Sequence, residues 1–151
     1  MYHTNSEFQM ECLFCKIASK EIPAHIVYED DAAVGFLDIN PRAPGHTVVI
    51  PKVHVETILN LDAEAVGPVF GAVRNMTARL EKSLKPDGFT IGINYGRASG
   101  QVVDHLHIHV IPRWLSDSGG SVHSVVNNPS RESLDVIKEK ILAAELLQKK
   151  K

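Results

Sequence analysis

Residues 105–113 read HLHIHVIPR. His105, His107 and His109 alternate with Leu106, Ile108 and Val110. Successive side chains of a β-strand point to opposite faces, so residues two apart share a face. The spacing predicts a strand over 106–112, with its aliphatic set in a core and its imidazoles on the other side. A helix would scatter a period of two around its cylinder. Pro112 lacks an amide donor, so the ladder is expected to end near it. On such a strand the Cα atoms of His105 and His109 stand about 13 Å apart. That distance argues against one metal ion held by all three, so the row is expected to divide its work.

Outward from this strand, four more segments read as strands. HIVYED (25–30) and AAVGFLDI (32–39) flank an acidic turn at Asp30–Asp31. HTVVIP (46–51) follows the turn-rich NPRAPG (40–45), and GFTIGINY (88–95) precedes the loop GRASGQVVD (96–104). A long helix separates the third and fourth strands. Asn60 or Asp62 can cap it, and Pro86 and Gly88 end it. Val66, Phe70, Val73, Thr77, Leu80 and Leu84 recur at helical spacing and read as core packing. A short helix is expected over 13–20, after Cys12. The polar stretch 116–130 leads to a last helix, with Pro129 in its first turn and Leu134, Ile137, Ile141 and Ala144 on one face. A run of strands with one long helix inside it predicts an α+β fold on a five-stranded antiparallel sheet, plus a C-terminal helix.

A length of 151 residues suits one domain with a sizeable core. The expected division is a flexible lead (1–11), the domain proper (12–113) and a C-terminal extension (114–151). Sixteen basic against eighteen acidic residues leave a net charge of −2, which gives no general attraction to nucleic acid or to a membrane surface. Lys149, Lys150 and Lys151 read as a solvated tail. No segment has the length and apolarity of a transmembrane helix, and MYHTNSEFQM (1–10) lacks the apolar centre of a signal peptide. The expected location is the cytoplasm.

The two cysteines, Cys12 and Cys15, are spaced C-x2-C. Three readings stand side by side. A disulfide suits an exported chain, a redox pair needs a βαβ context, and a zinc half-site needs two further ligands. Among the other histidines, His3 falls in the polar, loose N-terminal lead, and His25 and His123 read as ordinary structural or surface residues.

CLFCKI (12–17), FLDI (36–39), GHTVVIPKVH (45–54) and GQVVDHLHIHVIPR (100–113) together resemble, in order, segments of the histidine triad (HIT) family, most closely its Hint-like branch of nucleotide-binding hydrolases and transferases. The resemblance spans Cys12 to Arg113. It implies an antiparallel sheet with one long helix per subunit, and a homodimer with a continuous sheet. It also implies cleavage at the α-phosphate of adenylated substrates: phosphoramidates, acyl-adenylates or dinucleoside polyphosphates. The middle histidine, His107, would attack phosphorus and form a nucleotidyl-histidine that water hydrolyses. Neutral imidazole suits that task near neutral pH. His109 would hydrogen-bond the phosphate oxygens.

By the same resemblance Asn94, Gly100, Gln101 and Val102 border the phosphates, and Asp38 accepts from ribose hydroxyls. Phe14, Ile17, Phe36 and Ile39 wall the base, and the ligand is a purine nucleotide containing AMP. Some relatives carry Ser or Thr where this chain has Val102, so a donor to the leaving group is missing here. The resemblance completes a structural zinc site, with His54 and His105 joining Cys12 and Cys15. Lys52 beside it reads as a surface residue, and His46 falls in the cleft without an assigned role. Two rival readings remain. One is a nucleotide-binding or scaffold protein with vestigial catalysis. The other is a hydrolase with a catalytic metal on His105 and His107.

Overall fold

The computed structural model describes residues 11–148. The lead (1–10, with His3) and the lysines at 149–151 lie outside the described residues. The chain divides into two compact units between Gly119 and Gly120.

The first unit is an antiparallel sheet of β1 (Ile26–Glu29), β2 (Ala33–Leu37), β3 (Thr47–Pro51), β4 (Gly88–Gly92) and β5 (Ile108–Arg113). Their order is β1-β2-β3-β5-β4, every neighbour antiparallel. Helix α1 (Leu13–Ala18) opens the described chain, and α2 (Ala63–Leu84) joins β3 to β4. This is the expected α+β architecture, each strand differing from its expected bounds by one to three residues. Asp30 explains the tight first hairpin: its Oδ1 accepts the amides of Ala32 and Ala33, both at 2.8 Å.

The sheet has two cores. On one face α2 packs Val69, Ala72, Val73, Met76 and Leu80 against Tyr28, Ala33, Val49, Leu106, Ile108 and Val110. On the other, α1 packs Phe14 and Ile17 against Val34, Phe36, Val48 and Ile50. Strand alternation sorts these residues: Val48 pairs with His109 on the α1 face, and Val49 with Ile108 on the α2 face. Gly35 lets α2 approach closely, since a Cβ there would meet the Tyr28 Cβ at 3.1 Å and the Met76 sulfur at 3.4 Å.

Four details depart from the sequence reading. The buried stripe of α2 is turned toward Val69, Ala72 and Met76, leaving Val66 and Phe70 37% exposed and Leu84 40% exposed. Asp62 occupies the N-cap position of α2 without a side-chain cap, and the Asn60 amide oxygen accepts from the Thr57 hydroxyl at 2.7 Å. Strand β5 runs through Pro112 to Arg113. Pairing with β3 ends at Val110, so the proline's missing donor falls where only β4 lies alongside. At its other end β5 begins only at Ile108, so His105 and His107 precede the ladder.

In the second unit the helix α3 (Leu134–Gln148) begins five residues after Pro129. Ser133 takes the capping role, accepting the Val136 amide at 3.3 Å. Leu134 and Ile141 on this helix are 88% and 67% exposed. Among the described residues no helix is long and apolar enough to cross a membrane.

Candidate active site and metal cluster

The late start of β5 decides the state of the middle histidine. Outside the ladder, the His105 carbonyl is available to a side chain, and it accepts the Nδ1–H of His107 at 2.7 Å. A neutral imidazole with Nδ1 protonated carries its lone pair on Nε2. His107 is 7% exposed and lines a cleft of about 900 Å³. The edge of Phe14 meets its ring, with centroids 5.2 Å apart.

His109 is fixed from the opposite side. The Arg42 amide donates to Nδ1 of His46 at 3.1 Å, so the neutral His46 ring carries its proton on Nε2. That nitrogen lies 2.9 Å from Nδ1 of His109 and 3.5 Å from Oδ2 of Asp38. His109 therefore accepts at Nδ1 and keeps a donor on Nε2. Burial, with His107 and His46 nearby, pushes the His109 pKa down to about 4 against the opposing pull of Asp38. Burial likewise lowers that of His46. Both rings are thus neutral at physiological pH. Asp38 divides its oxygens, with Oδ1 accepting the Asn40 amide at 2.8 Å and Oδ2 facing the histidines.

Ten of the eleven residues expected to bind nucleotide line this cleft: Phe14, Ile17, Phe36, Asp38, Ile39, Asn94, Gly100, Val102, His107 and His109. Phe14, Ile17 and Phe36 belong to its buried wall, whereas Ile39 and Val102 are 87% and 89% exposed at its mouth. Gln101 is absent from the lining. Its amide braces the loop, donating to Glu56 O at 2.8 Å and accepting from Gly96 N at 2.8 Å. Gly100 closes the same turn at φ +95°, a left-handed conformation that favours glycine. His25 and His46 line the cleft, though sequence reading gave neither a role. The resemblance placed His46 in the cleft, and its ring contact with His109 gives it a role.

A second cluster sits on the other side of Phe14. Sγ of Cys12, Sγ of Cys15 and the ring nitrogens of His54 and His105 all lie within 4.8 Å of one another. Nδ1 of His105 is 3.5 Å from each sulfur, and Nδ1 of His54 is 3.3 Å from Cys15. His105 is fully buried. Its Nε2–H donates to Pro51 O at 2.9 Å, which turns the Nδ1 lone pair into the cluster. Burial and the adjoining Cys12 push the Cys15 thiol up to about 12, so ionising it in place needs a cation. Two thiols and two imidazoles converging this way could hold a tetrahedral metal ion, and this donor set is that of a structural zinc site.

Asp38, His46 and His109 also converge. They fit a metal poorly, because the Arg42 amide occupies Nδ1 of His46 and leaves a proton on the nitrogen that would ligate. No such cluster among the described residues joins His105 to His107.

The chain as a whole is similar to known proteins. The chain is 36% identical to an adenosine 5′-monophosphoramidase of Schizosaccharomyces pombe, over 73% of this chain and 80% of that one. The crystal structure of a HIT family protein from Bacillus anthracis superposes with a TM-score of 0.77 at 32% identity, over 92% of this chain and 96% of that one. A zinc-bound histidine triad family protein from Mycobacterium smegmatis matches with a TM-score of 0.65 at 34% identity, over 95% and 99% of the two chains. The family model described as the HIT domain matches residues 19–114, and the chain belongs to that family.

Proposed function

We propose that this protein is a nucleotide hydrolase or transferase that cleaves adenylated substrates at the α-phosphorus through a nucleotidyl intermediate on His107. The observation that carries the reading is the 2.7 Å bond from His107 Nδ1–H to the His105 carbonyl, which frees the Nε2 lone pair. Attack by that nitrogen forms an N–P bond, and the bond from phosphorus to the leaving group breaks with its electron pair. The Nε2–H of His109 donates to the phosphate oxygens as charge redistributes. Water then displaces His107, so two displacements replace one difficult one. Asp38 holds the ribose, the wall of Phe14, Ile17, Phe36 and Ile39 holds the base, and Asn94, Gly100 and Val102 border the phosphates. Gln101 serves the same loop by bracing it. Likeness to a monophosphoramidase supports an AMP-containing purine nucleotide.

Cys12, Cys15, His54 and His105 are assigned to one structural zinc ion, which supplies a rigid crosslink when bound. The zinc-bound relative supports this assignment. Free thiols serving as ligands suit a reducing compartment, and the cytoplasm is the location we assign. Residues 12–113 form the nucleotide-binding domain in this reading, 114–151 its extension, and the working unit is a homodimer.

The test is direct. The protein is mixed with an adenosine phosphoramidate, quenched in alkaline denaturant, because an N–P bond to imidazole is acid-labile, and digested at alkaline pH. An adenylyl group on the peptide bearing His107, absent from His107→Asn, supports the reading. Turnover without that adduct would exclude the covalent route. Nucleotide binding with neither adduct nor turnover would favour the scaffold reading.

A further inference from the structure

We propose that Cys12 and Cys15 form an oxidation site, at which a two-electron oxidant of the peroxide class closes a disulfide and withdraws the tether holding His105 and Phe14 against the nucleophile. The inference rests on the zinc and nucleotide assignments above.

Both cysteines are free and half-buried, so a small oxidant reaches them. Their sulfurs already lie within 4.8 Å of each other. Cβ atoms three residues apart on a helix are about 5–6 Å apart, and a disulfide needs about 3.8 Å. Cys12 can supply the movement. It is the N-cap residue of α1, in extended conformation at ψ 121°, and its side chain makes no capping bond. Its bond to the helix runs through its carbonyl, which accepts the Lys16 amide at 3.1 Å, so closing the bridge strains the first turn alone. In the balanced step two thiolates lose two electrons to form one S–S bond. Hydrogen peroxide takes those electrons and two protons to give two water molecules. A disulfide sulfur is a poor ligand, so the metal is released.

The consequence is carried by residues between and opposite the cysteines. Phe14 lies between them in sequence, and its ring meets Phe36, His105 and His107 at centroid distances of 5.4, 6.0 and 5.2 Å. Nδ1 of His105 touches both sulfurs at 3.5 Å, and the carbonyl of the same residue orients His107. Drawing Cys12 toward Cys15 thus withdraws the sulfur partners of His105 Nδ1, leaving the ring held at Nε2 by Pro51, and shifts the aromatic edge beside the nucleophile. The C-x2-C pair works on the cleft through two short paths, one along α1 and one through His105.

Reduced, zinc-loaded protein is treated with hydrogen peroxide. Released zinc is titrated with a chromogenic chelator, the bridge is mapped by mass spectrometry, AMP affinity is measured by calorimetry, and the His107 imidazole is followed by NMR. Expected are about one zinc released per chain, a Cys12–Cys15 bridge, an AMP affinity lower by about tenfold and shifted His107 resonances. A thiol reductant with added zinc restores all four. Cysteines that stay reduced with zinc bound would overturn the proposal. So would a bridge that leaves the His107 resonances unchanged, or reduced protein that carries no zinc. Failure of reduced protein to bind AMP would instead overturn the nucleotide reading, and the NMR and zinc measurements would still decide this one.

Discussion

Three imidazoles in one row differ by what holds the second nitrogen of each ring. His105 gives Nε2–H to Pro51 and keeps Nδ1 for the cluster of Cys12, Cys15 and His54, while His107 gives Nδ1–H to a carbonyl and keeps Nε2 for the cleft. His109 accepts at Nδ1 from His46 and keeps a donor. His107→Asn should abolish the covalent adduct and leave the melting temperature near that of the parent protein. His105→Asn should lose zinc and melt lower first, because binding energy at a structural site is folding energy; metal analysis and thermal unfolding of both variants check this. The pH response follows from the depressed ring of His109. Unfolded, it takes a proton near 6.5; folded, only near 4. Between those values the unfolded chain binds more protons, so stability is fully present above about 6.5 and declines as the pH falls toward 4. Denaturant midpoints measured across that range should fall with acidity, and less so in His109→Gln. At this scale the residue types were legible in the sequence. Their tautomers were not, since they depend on distant partners. Pro51 lies 54 positions from His105, and Arg42, acting through His46, lies 67 positions from His109.

The elements were legible where one period dominates. HTVVIP and GFTIGINY read as strands, and Thr47–Pro51 and Gly88–Gly92 within them are strands, while the 22-residue α2 lies where its apolar spacing put it. The misreadings have particular causes. Alternation over 105–110 continues past the end of the hydrogen-bonded ladder, because the backbone amides of His105 and Leu106 go to the loop carbonyls of Val103 and Val55. The stripe of α2 was misplaced because Phe70 is large and apolar yet half outside, whereas small Ala72 fills the space beside the sheet. Gly35 shows how tight that space is. Gly35→Val should destabilise by about 1–3 kcal/mol, the cost of overpacking a filled core, read as a shift in urea midpoint. Phe14→Ala on α1 acts on the other face. It should cost about 3 kcal/mol or more of stability and also weaken AMP binding, because one ring serves both the second core and the cleft wall.

At the scale of the whole molecule the sheet has two edges, and they are built differently. Edge strand β1 is interrupted by a bulge at Val27, whose carbonyl is taken by the Arg79 guanidinium. Glu29 on the same strand carries ion pairs to Lys20 and Lys52, each at 3.1 Å. Bulges and charges are the devices by which an edge avoids pairing with another chain. Strand β4 has none of them. Its sequence GFTIG is uncharged, its pairing with β5 is regular over five residues, and Ile91 is 44% exposed. The helix preceding β4 in sequence exposes Val66 and Phe70 as well. An uncharged, regular edge is a template for a strand of a second copy, and antiparallel addition of β4 to β4 would extend the sheet from five strands to ten. The expected species in sedimentation equilibrium at low micromolar concentration is therefore twice the 16.6 kDa chain. Ile91→Lys places a charge on that edge and should shift the protein to a single chain, while circular dichroism of the fold stays unchanged. A parent protein that sediments as one chain would remove the dimer, and an Ile91→Lys variant that stays paired would move the interface away from β4.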